Sequence, residues 1–317
     1  MVSAGKPGIG LALGSGSARG WAHIGVIHAL ARLGIKPEIV AGSSIGALVG
    51  ASLACGRLDD LDAWLADLGL RDIVKLIDLS ISGGGLIQGE KLAQAFYHYV
   101  DDVDISSLPM AFGAVATDVE AGREVWFREG SLLDAVRASI AIPGMFSPVQ
   151  HQGRWLVDGS LVNPVPVSMC RAMGADIVIA VNLNSELPGN KARAADRKSR
   201  LALSLPQHEL IDKIADTLAP IRERIETILP GDGDADQSPG MFETMNASID
   251  IMQGRITRSR LAGDPPDILI TPHLAHLGWL EFDRSEEAIK EGEQAVRRAV
   301  SAGAFQSLLS ATDPDTQ

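Results

Sequence analysis

Residues 39–55 read IVAGSSIGALVGASLAC, and this stretch decides how the chain folds. A short apolar run is followed by the pattern Gly42-Ser43-Ser44-Ile45-Gly46 and then by a run of helix-forming residues. A strand that turns at once into a helix lifts one side chain clear of the backbone, and glycines on either side permit the tight turn. The spacing therefore predicts a nucleophile elbow, in which Gly42 and Gly46 flank a Ser44 hydroxyl that can attack a carbonyl carbon.

A second special loop lies one strand and one helix before the elbow. The sequence predicts a buried strand at Ile9–Leu13, a loop rich in glycine and serine at Gly14–Gly20, and a helix that ends before Gly34. A strand, a helix and a strand in this order form a βαβ unit, so the two strands are expected to be parallel. Because parallel neighbours end at the same edge of a sheet, the loop and Ser44 are expected to face each other across one crevice.

The rest of the chain continues this α/β pattern with one interruption. Residues 184–266 are polar and are predicted to form a mostly helical insertion, between a core at 1–183 and a final strand and helix with a C-terminal tail at 267–317. The further predicted strands are 111–117, 124–127, 154–157, 175–183 and 267–271. The further helical segments are 59–100, 132–139, 166–173, 210–228, 242–261 and 284–302, the last with a capping box formed by Asp283 and Glu286.

One helix of the predicted insertion has two distinctive sets of residues. Its apolar residues recur with helical spacing and form one stripe, consisting of Met245, Ile249, Met252 and Ile256. Its basic residues cluster toward the C-terminal end and are Arg255, Arg258 and Arg260. A helix that packs on the core through the apolar stripe explains this pattern most simply. The alternative is a lid that faces lipid, either at a membrane surface or along an acyl chain.

The composition limits the partners and the location. The chain has 317 residues, a mass of 33.5 kDa and a formal net charge of −12, which argues against nucleic acid as a partner and allows only a local basic contact with a membrane. No apolar stretch has the length of a signal segment or of a spanning helix, so we expect a cytoplasmic protein, soluble or peripheral at the inner face of the membrane. Cys55 and Cys170 stand in apolar helical patterns and are expected to be buried free thiols.

A third motif, Asp158-Gly159-Ser160, follows a predicted strand. Together with the glycine-rich loop and the elbow, it resembles the patatin-like phospholipase family, in the bacterial branch related to the catalytic domain of neuropathy target esterase. The resemblance covers residues 9–183 and extends to 267–292. It implies a three-layer α/β fold, in which a mainly parallel central sheet is flanked by helices.

The resemblance also implies a chemistry. Ser44 would attack the carbonyl carbon of an acyl ester and Asp158 would take its proton, with no histidine, metal ion or organic cofactor. Phospholipids, lysophospholipids or other acyl esters would be the substrates. Backbone N–H groups of the glycine-rich loop would stabilise the oxyanion. The residues assigned to this oxyanion loop are Ser15, Gly16, Ser17 and Arg19.

This chemistry places a condition on Asp158. A free aspartate has a pKa of about 3.9 and is a poor base toward a hydroxyl group. We therefore expect Asp158 to be shielded from water enough to raise its pKa, while it keeps a hydrogen bond to Ser44.

The chain departs from the usual pattern of the family at three positions. Ser15 and Ser17 replace glycines of the loop, and Ser160 stands where glycine or alanine is usual. All three replacements are small, but a serine at a position with positive φ carries strain that a glycine does not.

Other functions remain open from the sequence. The Gly14–Gly20 loop is also typical of dinucleotide binding, although the elbow occupies the place where an acidic residue would bind ribose. His273 follows a late strand, as the triad histidine of an α/β-hydrolase does. The same serine site could serve a general carboxylesterase or thioesterase. A regulatory or lipid-binding protein with little turnover could also keep this fold.

Overall fold

A computed structural model describes residues 7–67, 85–87, 100–185, 241–279 and 281–308. The helix predicted at 210–228 lies outside these described residues, as does most of the segment 59–100.

The chain divides into two compact units. The first comprises residues 1–187 and 249–317, and the second comprises residues 188–248. Residues 249–263 of the predicted insertion therefore belong to the same unit as the central sheet.

The first unit is built on a mixed sheet, which has eight strands within the described residues. Five neighbouring strands are parallel and are, in spatial order, β10 (Ile268–Ile270), β9 (Ile177–Val181), β1 (Ile9–Leu13), β2 (Ile39–Ser43) and β4 (Ala111–Asp118). Three further strands complete the sheet through antiparallel pairs. Both β5 (Arg123–Phe127) and β8 (Arg154–Asp158) pair with β4, and β7 (Val149–His151) pairs with β8. A separate parallel pair joins β3 (Gly85–Ile87) to β6 (Gly144–Phe146).

Helices cover both faces of the sheet, because side chains along each central strand alternate between the faces. On β1, Leu11 and Leu13 belong to the larger apolar core, whereas Ala12 belongs to a smaller core on the other face. The described helices are α1 (Ala22–Arg32), α2 (Ile45–Ala54), α3 (Leu58–Asp67), α4 (Leu132–Ser139), α5 (Val167–Ala172), α6 (Met241–Gly263) and α7 (Ser285–Ser301). The larger core takes residues from α1, α2 and α7, and the smaller core takes residues from α5. The predicted three-layer arrangement is confirmed.

Most of the predicted elements have the expected bounds, but β3 lies within the segment 59–100 that was predicted to be helical, and β6 and β7 lie where a loop was predicted. The pairing of β3 with β6 is a contact between distant segments, which no local pattern contains. β1 and α4 begin and end at the predicted residues, and β2 leads into α2 through the elbow. The capping box predicted before the last helix is wrong. A 3-10 turn at Phe282–Arg284 precedes α7, and its N-cap residue Arg284 makes no capping hydrogen bond through its side chain. Arg284 instead forms ion pairs with Glu281 at 2.8 Å and Glu287 at 2.6 Å.

The apolar stripe predicted on α6 packs inward only in part, and Ile256 is half-buried. Ile249 is buried, but the Met252 side chain is 48% exposed, and the side chain of Met245 lies outside the described residues. The buried face of α6 instead carries Asp250, Gln253 and Thr257. Asp250 and Gln253 face inward because neighbouring segments offer them hydrogen-bonding partners, whereas the Thr257 hydroxyl has no hydrogen-bonding partner among the described residues.

Among the described residues, no helix combines the length and the apolar character needed to cross a bilayer. Cys55 and Cys170 are free thiols, half-buried and buried respectively.

Two glycines bring α1 and α7 into backbone contact. A Cβ atom added to Gly292 would lie 2.0 Å from the carbonyl oxygen of Ala22, and one added to Gly25 would lie 1.8 Å from that of Ile289. Such distances exclude any side chain, so the two helices can approach this closely only with glycine at both positions.

We therefore expect Gly292→Ala to lower the free energy of unfolding by roughly 1–3 kcal/mol, because the added methyl group forces the helices apart. Chemical denaturation of both proteins measures this difference. Gly263→Ala is the matched control, since a Cβ atom there meets no other atom within 4 Å. Equal stability of the two variants would contradict this account of the α1 and α7 contact.

Candidate active site

Ser44 lies on the predicted elbow between β2 and α2. Its backbone has φ 56° and ψ −125°, an unfavourable conformation for serine that costs on the order of 1–3 kcal/mol. The flanking glycines make room for the turn, since a Cβ atom on Gly46 would lie 2.2 Å from the Leu13 carbonyl oxygen and one on Gly42 would lie 2.4 Å from the Ala47 nitrogen. The Ser44 side chain is thereby directed away from its own strand and helix.

Ser139 holds the elbow from a third element. The Ser44 amide donates a hydrogen bond of 2.9 Å to Ser139 Oγ, and the Ser139 hydroxyl donates one of 2.6 Å to the Val115 carbonyl on β4. The Ser44 amide is therefore engaged and is not a donor for an oxyanion. Sequence reasoning gave Ser139 no role, because a serine at the end of an amphipathic helix carries no motif.

Asp158 meets Ser44 at the centre of the sheet. The Ser44 hydroxyl donates a hydrogen bond of 2.5 Å to Asp158 Oδ2, across a sequence separation of 114 residues. The sheet explains this contact. β2 and β8 both lie beside β4, and the register pairs Ser43 with Val115 and Asp158 with the next residue, Ala116.

The Asp158 carboxylate is buried, and its pKa is raised. Its side chain has almost no exposure, and burial raises its pKa from the ordinary value to about 6. Hydrogen bonds from the Ser160 side chain, the Ser44 side chain and the Ser160 amide lower the pKa and oppose this effect. The amide bond spans 2.8 Å to Asp158 Oδ1 and forms across the turn at Gly159. The condition that the sequence placed on Asp158 is met.

The glycine-rich loop faces the elbow, as predicted. A Cβ atom on Gly20 would lie 2.3 Å from the Ile45 side chain, so the loop lies directly against the start of α2. The Ser15 amide donates to the Pro164 carbonyl at 2.8 Å, and the Arg19 amide donates to the Gly16 carbonyl at 3.2 Å. Within the part of the chain that the structure describes, the Gly16 and Ser17 amides have no hydrogen-bond acceptor. These two N–H groups are therefore the ones available to an oxyanion.

The loop is held in a strained form. Ser17 has φ 51°, and its hydroxyl donates a hydrogen bond of 2.6 Å to the Trp279 carbonyl. The same carbonyl accepts the Ala18 amide at 3.2 Å. The strain anticipated for serine in place of glycine is thus present at Ser17, where the side chain also supplies a hydrogen bond that glycine lacks.

His23 and Arg19 support the loop from below. His23 Nε2 lies 2.7 Å from the Gly14 carbonyl oxygen and donates to it, and burial lowers the pKa of His23 to about 4. His23 is therefore neutral at ordinary pH. Arg19 is buried, donates to the Gly16 carbonyl at 3.3 Å and forms an ion pair of 2.9 Å with Asp250 on α6. Because Asp250 balances its charge, Arg19 acts mainly as a brace for the loop.

No histidine among the described residues hydrogen-bonds to Ser44 or Asp158. The His273 amide donates to Glu291, and the His276 ring lies 2.7 Å from Glu287, so both belong to the contact with α7. The described residues also contain no cluster of three or more side chains that could hold a metal ion. The α/β-hydrolase alternative therefore lacks its histidine at this site.

The arrangement has the parts that acyl transfer needs. It combines a strained serine, a buried carboxylate that accepts a hydrogen bond from the serine hydroxyl, and two backbone N–H groups on a facing loop. The contacts from α6 and from Trp279 were not anticipated, because a sequence gives no indication of which distant residues a segment contacts.

Comparison with known proteins agrees with this geometry. The sequence profile of the patatin-like phospholipases matches residues 11–171. An uncharacterized NTE family protein of Mycobacterium bovis is 38% identical over 94% of this chain and 92% of its own length. Patatin-like phospholipase domain-containing protein 7 of Rattus norvegicus is 33% identical over 56% of this chain, which spans 14% of the rat protein.

A solved structure shows the same fold. The crystal structure of VipD from Legionella pneumophila matches 95% of this chain and 68% of its own chain, with a TM-score of 0.52 and 14% sequence identity. The matched range, residues 11–171, includes the glycine-rich loop, the Ser44 elbow and the Asp158 motif of this chain. On these grounds the chain belongs to the patatin-like phospholipase family.

Proposed function

We propose that this chain is a serine acyl-ester hydrolase that removes acyl chains from phospholipids or lysophospholipids. The observation that carries the proposal is the hydrogen bond of 2.5 Å from the Ser44 hydroxyl to the buried Asp158 carboxylate. Membership of the family supports hydrolysis of lipid acyl esters in general.

In the proposed first step, Ser44 Oγ attacks the acyl carbonyl carbon and its proton passes to Asp158. The carbonyl oxygen becomes an oxyanion, which the Gly16 and Ser17 amides stabilise. The tetrahedral intermediate then collapses, the bond to the leaving alcohol breaks, and Asp158 returns the proton to that alcohol. An acyl group remains on Ser44.

In the second step, water hydrolyses the acyl-enzyme. Asp158 takes a proton from the attacking water, the oxyanion forms again at the same loop, and the released fatty acid leaves Ser44 with its proton restored. Asp158 suits both steps because burial gives it a pKa of about 6, so that it is ionised at neutral pH and still basic enough to accept a proton.

The proposal includes a location. An enzyme of lipid esters in the cytoplasm would meet its substrate at the inner face of a membrane by peripheral contact, without the participation of nucleic acid.

Covalent labelling tests whether Ser44 is the nucleophile. We expect a fluorophosphonate to modify Ser44, Ser44→Ala to abolish the labelling, and Asp158→Asn to slow it by about a hundredfold or more, because the amide cannot accept the serine proton. Mass spectrometry of the digested protein identifies the modified residue. A folded wild-type protein that reacts elsewhere, or not at all, would favour a regulatory or lipid-binding protein over an enzyme.

The pH dependence of activity tests whether Asp158 is the base. The value of kcat/KM for a soluble short-chain ester should rise with pH along one limb with an apparent pKa of about 6. Protonated Asp158 cannot accept the Ser44 proton, so activity falls about tenfold for each pH unit below that value. His23 stays neutral over the same range because its pKa is about 4. Activity that does not change between about pH 5 and pH 8 would rule out Asp158 as the base.

A comparison of substrates tests whether the enzyme prefers lipid esters. Purified protein should release fatty acid from lysophosphatidylcholine or phosphatidylcholine with a higher kcat/KM than from a short-chain carboxylic ester or thioester. Quantifying the released acid measures both, with Ser44→Ala as the blank. Faster hydrolysis of the short-chain compounds would instead support a general carboxylesterase or thioesterase.

A further inference from the structure

The buried face of α6 is polar where a packed helix would ordinarily be apolar. Asp250, Gln253 and Thr257 are each less than 5% exposed, whereas Ile251 and Met252 on the same helix are about half exposed. Burying a polar side chain is unfavourable unless it finds hydrogen-bonding partners. The partners of Gln253 therefore explain why α6 presents this face to the site.

Gln253 joins three parts of the site. Its Nε2 group donates a hydrogen bond of 2.7 Å to Ser160 Oγ, next to the base Asp158. Its Oε1 atom accepts bonds from Ser15 Oγ at 3.3 Å and from Asn184 Nδ2 at 3.0 Å. One amide group thus connects the oxyanion loop to the Asp-Gly motif.

The orientation of this amide follows from the backbone. The Asn184 nitrogen Nδ2 donates to the Ser15 carbonyl oxygen at 3.2 Å, and a carbonyl can only accept. The Gln253 atom that faces the same nitrogen must then be its acceptor, Oε1. The donor Nε2 therefore faces Ser160.

This orientation directs the Ser160 hydroxyl. Because Nε2 can only donate, Ser160 Oγ accepts from Gln253, and its own proton is left for another acceptor. The Ser160 amide donates a hydrogen bond of 2.8 Å to Asp158 Oδ1, and the Ser160 side chain also lowers the pKa of Asp158, which favours the ionised carboxylate. Gln253 thereby acts on the base through Ser160.

The two serines in this network are departures from the usual family pattern. Ser15 replaces a loop glycine and Ser160 replaces glycine or alanine, and both hydroxyl groups hydrogen-bond to Gln253. Neither glycine nor alanine could make these bonds. In this chain, both bonds to Gln253 therefore depend on serine at these positions.

We propose that Gln253 is a positioning residue for acyl transfer at Ser44, because its amide group holds Ser160 beside Asp158 and ties Ser15 into the same network. The inference deepens the proposed function and rests on it. Among the described residues, Gln253 hydrogen-bonds to neither Ser44 nor the Gly16 and Ser17 amides, so it acts through the two serines.

Charged groups around this network are already paired. On α6, Asp250 pairs with Arg19 of the loop, and Arg260 pairs with Glu124 of β5. Burial and hydrogen bonds from serine residues cause the shift of Asp158, with no charged neighbour among the causes. A change of the Ser160 bond is therefore expected to register directly in the pH dependence.

The test uses Gln253→Met, which keeps the length of the side chain and removes its hydrogen bonds. With a soluble short-chain ester, we expect kcat to fall about tenfold with KM changed less than twofold, since Gln253 does not contact the substrate. Without its partner, Ser160 is no longer held steadily beside Asp158. The acidic limb of the kcat profile should therefore move up by about half to one pH unit. Met252→Gln, at the exposed neighbouring position, is the control and should match the wild type.

Ser160→Ala separates positioning from general damage. Alone, it should raise the acidic limb as Gln253→Met does, and in its background Gln253→Met should add no further shift, because the route to Asp158 is already broken. Ser160→Ala also gives the pH test if Gln253→Met fails to fold. An equal additional shift in the double variant, an unmoved limb in Ser160→Ala, or wild-type kcat and pH profile in Gln253→Met would overturn the inference. Absence of Ser44 labelling in the wild type would instead overturn the proposed function itself.

Discussion

The hydrogen bond between Ser44 Oγ and Asp158 Oδ2 sets the conditions that the rest of the site must meet. A carboxylate buried this deeply loses its hydration and becomes more basic, and it stays ionised at neutral pH only if hydrogen bonds replace part of that hydration. Ser44 and Ser160 supply those bonds. The balance between burial and hydrogen bonding gives Asp158 its pKa of about 6, which neither effect would give alone.

The same contact requires strain to be held elsewhere. Ser44 and Ser17 both have positive φ, and each is held by a hydrogen bond from outside its own loop. Ser139 accepts the Ser44 amide, and the Trp279 carbonyl accepts the Ser17 hydroxyl. Ser44 and the glycine-rich loop are thus held in place by residues of distant segments, and the folded structure as a whole compensates for the unfavourable conformations.

Helix α6 contributes side chains to the site. Its polar inner face places Asp250 against Arg19 and Gln253 against Ser15 and Ser160, so the site is completed by residues beyond the segment that the family profile matches. An apolar inner face could not have satisfied these buried groups. Serine at the three unusual positions, which looks like a loss of glycine flexibility in the sequence, is in the structure a gain of hydrogen bonds to Gln253 and to the Trp279 carbonyl.

The sequence by itself determined most of the central strands and helices, the elbow at Ser44 and the loop that faces it, because these depend on local periodicity and on turns that only small residues permit. The role expected of Asp158 came from the resemblance to the family. It also established that the carboxylate would need shielding from water. Only the tertiary structure decided that β8 lies beside β4 in the register that brings Asp158 to Ser44, and that Ser139, Asp250 and Gln253 reach the site. For the same reason, the apolar stripe on α6 predicted the buried face of that helix only in part. Which face of a helix is buried depends on the partners that distant segments present to it, and no local pattern contains that information.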